Sequence, residues 1–166
     1  MKKVVVGALL LLATSSASAG LKIYQAPQDW LRSTGSAEEV RSYISDVDAG
    51  KFSSDSAYSP EVLKGINTYI NALKTKIAPT FSAQDYKAFD NTLCKVSITT
   101  ANTSPDDKSP PSVLSLNDFP ENSRTGCIEL TKNIEKLVGS SAELGFPASV
   151  KDNGLLSIDL IVSFTK

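Results

Sequence analysis

The side chains that could do chemistry here are carboxylates, hydroxyls, lysines and two cysteines, because the 166-residue sequence holds no histidine. Without imidazole there is no Ser-His-Asp triad, no Cys-His dyad and no histidine-bearing zinc site. Asp46-Val47-Asp48-Ala49-Gly50 begins like a calcium loop, but such a loop needs glycine at its sixth position and a bidentate glutamate at its twelfth. Lys51 and Ala57 stand there instead, so the two acids are expected at the solvated end of a helix. A Ser-x-x-Lys arrangement, Ser163-Phe164-Thr165-Lys166, ends the chain. It lies in a strand-like stretch, whereas that nucleophile works from a helix start. No glycine-rich phosphate loop occurs. The expectation is a protein that is not an enzyme and holds no cofactor and no metal.

Cys94 and Cys127 are the remaining candidates. An even cysteine count in an exported chain reads as a disulfide, and their spacing is far from the Cys-x-x-Cys of redox centres. Export is what the N-terminus implies. Met1-Lys2-Lys3 is cationic, Val4 to Ala13 is an apolar run, and Ala17-Ser18-Ala19 fits a small-x-small cleavage pattern. Residues 1–19 are thus expected to be a signal peptide cleaved after Ala19, leaving 20–166 as a single globular domain, periplasmic or secreted. The apolar run has half of the roughly 20 residues needed to span a bilayer. No later run is longer, so no membrane span is expected in the mature chain. A net charge of −1 and a pI near 5.5 give no basic excess for nucleic acid.

The elements that must position these residues change character halfway. Ser36 to Glu39 is a capping box, followed by Val40, Tyr43, Ile44 and Val47 at helical spacing and Gly50 as a stop. Ser59-Pro60 opens a second helix, with an apolar stripe of Val62, Leu63, Ile66, Tyr69, Ile70, Leu73 and Ile77 that Pro79 ends. Ser82 caps a third helix, with Tyr86, Phe89 and Leu93 inward, and a short helix around Trp30 precedes them all. Trp30 and the helical tyrosines are expected in the core. The second half opens on Cys94 to Thr100, a strand with one face buried, and Val113 to Leu116 is a second, short one. Cys127 to Val138 is a helix, and Leu156 to Phe164 alternates as a C-terminal strand with one face buried. Ala101 to Pro111 and Asn117 to Gly126 are polar loops. This predicts an α+β fold, a helical N-terminal half with a small, mostly antiparallel sheet in the C-terminal half; the alternative is an all-α fold.

Asp29-Trp30-Leu31-Arg32-Ser33, then Tyr43 to Gly50, then the Pro-led helix from Ser59 to Leu73, resemble the opening of the periplasmic immunity proteins of type VI secretion amidase toxins, the Tai/Rap group. The resemblance covers about 50 residues and departs at Asp46, where the family carries glycine. It implies an exported protein without catalytic residues that occludes a toxin's active-site cleft.

Residues and resemblance lead to the same expectation, an immunity or inhibitor-type protein that binds a protein partner. Asp106, Asp107 and Lys108 are the candidate contact residues, at the tip of a protrusion made of the Pro-bearing segments Ala101 to Pro111 and Asn117 to Gly126, both inside the loop whose ends the disulfide draws together. The alternative is a non-catalytic accessory component of an envelope assembly, using Leu156 to Phe164 for strand addition. A hydrolase built on converging carboxylates is a third.

Overall fold

Hydrophobic stripes of period 3.6 and strands of period 2 need partners to bury them, and here one sheet supplies a face to both kinds of helix layer. The computed structural model describes residues 20–27, 29–33, 36–51, 58–116 and 124–166. The expected signal peptide, Ala57 and residues 117–123 of the second polar loop lie outside them. Along the chain come β1 (Gly20–Gln25), α1 (Trp30–Ser33), α2 (Ala37–Asp48), α3 (Pro60–Ile77) and α4 (Ala83–Ala88). Then follow β2 (Leu93–Thr99), β3 (Ser112–Ser115), α5 (Arg124–Ser140), α6 (Ala148–Asp152) and β4 (Ser157–Thr165). The strands form one antiparallel sheet in the order β1-β4-β2-β3. The fold is α+β, and the all-helical alternative falls to this sheet.

The helix starts obey local chemistry. Ser36, Ser59 and Ser82 each accept a hydrogen bond on Oγ from the backbone N–H three residues on. Asp85 answers Ser82 by accepting from its backbone N–H at 2.7 Å, a complete capping box. Gly50, just past α2, takes φ +69°, which favours glycine.

Register then sorts the sheet into two faces. Leu160 lies opposite Gln25 and Val96, and Val162 opposite Ile23 and Cys94. That face packs with Ile66, Leu73 and Ile77 of α3 and Leu130 and Ile134 of α5 in the larger core. Ile161 lies opposite Tyr24 and Lys95 and packs with Leu31, Val40 and Tyr43 from α1 and α2. Cys94 and Cys127 are joined, tying β2 to α5 with Cα atoms 5.3 Å apart. Such a bridge suits an oxidising compartment.

Several expectations are corrected. β2 and β4 are buried on both faces, because α1 and α2 cover the side that their alternation offers as solvent-exposed. β1 is an unexpected strand whose six residues complete the sheet edge beside β4. Leu93 opens β2 rather than lining the third helix, since that helix stops at Ala88 and Asn91 turns the chain at φ +62°. Arg124 to Gly126 belong to α5, not to a loop. A one-turn 3₁₀ helix at Ala142–Leu144 and the short helix α6 lie between α5 and β4, where the sequence pattern marks no element.

Candidate functional site

Ala101 to Pro111 does form the loop between β2 and β3, and its residue types set its shape. Thr100 Oγ1 donates to the Asn102 carbonyl, and Asn102 Oδ1 accepts from the Ser104 N–H at 2.9 Å. Ser104 to Asp107 makes a turn, closed by the Asp107 N–H on the Ser104 carbonyl at 3.2 Å. Asp107 Oδ1 accepts from the Ser109 N–H at 2.9 Å. These are the short-range side-chain bonds by which Asn, Asp and Ser stabilise turns. Pro105, Pro110 and Pro111 narrow φ further. Bonds from Ser109, with the Lys151 ammonium nearby, hold the Asp107 carboxyl below the usual carboxylate range.

The structure therefore separates the three tip candidates. Asp106 and Lys108 are exposed, whereas Asp107 is half-buried and shapes the loop. A residue that sequence reasoning passed over holds the whole. Lys151 of α6 is 6 % exposed, and its Nζ donates to the Asp107 carbonyl at 2.9 Å and to the Ser104 carbonyl at 3.4 Å. It reads as an ordinary surface lysine because its acceptors lie 44 and 47 positions away. Between this loop and the end of α5 lies a groove of about 630 Å³, with Lys108, Ser140, Phe146, Pro147 and Lys151 in its walls. A second groove, of about 700 Å³, runs between α3 and α6 past Lys64, Thr68, Tyr69 and Glu143. There Gly65 lets the two helices meet, since a Cβ on it would run into Ser149 Oγ.

Leu114, Leu156 and Ile128 are large apolar side chains left 44 to 47 % exposed. Leu114 lies in β3 just beyond the loop, and the Leu156 carbonyl accepts from the Thr100 N–H just before it. Two apolar anchors thus flank the loop's base.

The other candidates resolve into structural roles. Asp48 accepts from the Tyr24 hydroxyl and faces Lys22, and Asp46 pairs with Lys51 at 3.5 Å. Burial, with Asp48 adding to it, pushes the Tyr24 hydroxyl up to about 12. Ser163 lies in β4, and Lys166 pairs with Asp90 at 3.5 Å. Ser97 Oγ donates to Asp159 Oδ1 at 2.6 Å, and the Asp29 N–H reaches the other carboxylate oxygen at 3.2 Å. With Lys95, whose Nζ donates to the Leu31 carbonyl, these polar side chains lie under α1, each no more than 3 % exposed. They anchor the segment that covers the sheet. Trp30 packs on Tyr43, and the hydroxyls of Tyr43, Tyr69 and Tyr86 donate to carbonyls. β4 pairs on both edges, so it offers none for strand addition.

Among the described residues, no helix is long and apolar enough to cross a membrane, and no cluster of three acidic or cysteine side chains is placed to hold a metal ion. The chain matches no protein-family model, no curated protein and no solved structure.

Proposed function

We propose that this chain is an exported, periplasmic inhibitor of the immunity type, which binds a protein toxin and occludes its active-site cleft with the loop from Ala101 to Pro111. One observation carries the reading: the loop that joins β2 to β3 is shaped by its own turn bonds and tied to α6 by two hydrogen bonds from Lys151. A segment ordered before binding loses little entropy when it enters a cleft. Leu114 and Leu156 at its base supply the apolar contacts around which interfaces concentrate their energy. The likeness of residues 29–50 and of α3 to the amidase-immunity proteins supports a toxin as the partner. A disulfide and a leader of signal-peptide pattern support the compartment.

The test pairs the purified chain with a periplasm-acting toxin encoded beside its gene. The reading expects a complex and loss of the toxin's activity; a toxin neither bound nor blocked ends it. Within a complex, replacing Asp106 and Lys108 together by alanine should weaken binding at least tenfold, about 1.4 kcal/mol, at an unchanged melting temperature. Equal affinity would move the interface to the exposed side of α3.

A further inference from the structure

We propose that Lys151 is the positioning residue of the docking loop, fixing the shape in which it meets its partner; this rests on the inhibitor reading above. The ammonium reaches both ends of one turn, the carbonyls of Ser104 and Asp107. Among the described residues, the hydrogen bonds that reach this loop from a distant part of the chain both come from Lys151. An ammonium is costly to take out of water, so a buried lysine is kept where acceptors receive its donors. Here both acceptors belong to the one turn that carries Asp106.

The anchor behind Lys151 is rigid. Val150 of α6 is buried in the larger core, and α6 lies tight against α3 where Gly65 meets Ser149. The loop is thereby coupled through one side chain to α3, a helix of 18 residues. The turn and Lys151 both line the groove of about 630 Å³ between the loop and the end of α5, and the ammonium ties the turn to α6 across that wall. Lys151 is buried and is not a contact residue. Its effect passes through the shape of the loop.

Amide exchange in the purified chain, with no partner present, tests this. In Lys151→Met the Ser104 and Asp107 amides should exchange at least tenfold faster, with rates insensitive to low urea, while those of Leu73 and Leu160 stay as they were. Lys151→Arg, which keeps a cationic donor, should restore protection to within about threefold of the parent. Unchanged exchange at Ser104 and Asp107 in Lys151→Met overturns the proposal. Should that variant lose its core protection as well, the parent decides the matter. Its Lys151 ammonium should give a slowly exchanging proton resonance, and exchange as fast as that of exposed Lys64 overturns the role. Because no partner enters either measurement, failure here removes the Lys151 tether from the support for the inhibitor reading but does not decide it, since the complex and the loss of toxin activity are measured separately; a pinned loop without a partner leaves Lys151 its role.

Discussion

A carboxylate in a protein interior survives by having its oxygens satisfied, and Asp159 meets that condition with one bond from Ser97 and one from Asp29. Ser97→Ala takes away a 2.6 Å donor and leaves a buried oxygen short of a partner. The expected loss is about 1–3 kcal/mol in urea unfolding, and an unshifted midpoint would refute it. Burial raises Tyr69 above the ordinary phenol range, and burial with Asp48 takes Tyr24 to about 12. A hydroxyl whose folded value lies above its unfolded value of about 10 stabilises the fold fully below pH 10. That contribution fades as pH rises towards 12. The urea midpoint should therefore fall between pH 9 and pH 11, and less steeply in Tyr24→Phe than in the parent. Parallel declines in the two proteins would show that Tyr24 contributes nothing to the slope.

At the level of elements, the disulfide closes a loop with a sequence separation of 33 that contains all of β3 and the loop from Ala101 to Pro111. Restricting that stretch in the unfolded chain stabilises the fold by roughly 3.5–4 kcal/mol on the chain-entropy model. Replacing Cys94 and Cys127 together by alanine should cost about that much while leaving the far-ultraviolet spectrum native. A cost under about 1 kcal/mol would mean that the reduced chain already keeps these elements together. Elements also explain which residues of the site were legible. The loop is written in Asn, Ser, Asp and Pro, whose turn bonds span two or three residues, so its place between β2 and β3 is readable locally. Its tether is not, because Lys151 lies on a five-residue helix with no periodic pattern of its own.

Across the whole molecule, the two ends of the described chain meet. Gly20 pairs with Thr165 and Gln25 with Leu160, so β4 enters the sheet between the first strand and the third element of its order. Both helix layers pack on β4, which gives Leu160 and Val162 to the larger core and Ile161 to the smaller one. Fluorescence of Trp30, in the layer of α1 and α2, should therefore report the same unfolding midpoint as far-ultraviolet ellipticity, which α3 and α5 dominate. Two separate midpoints would mean that the layers melt independently. The sequence alone determined whatever depends on neighbours a few positions apart. Those features are the serine caps, the stripe of α3, the α5 periodicity, the turns, and a stock of side chains without imidazole. It also marked Cys94 and Cys127, the only two cysteines, as partners. Tertiary structure decided the rest: which polar positions of β2 and β4 are covered, that Gly20–Gln25 is a strand, and what Lys151 holds. Those outcomes depend on contacts such as Asp29 with Asp159, 130 positions apart, and local periodicity carries no record of what a chain meets at that distance.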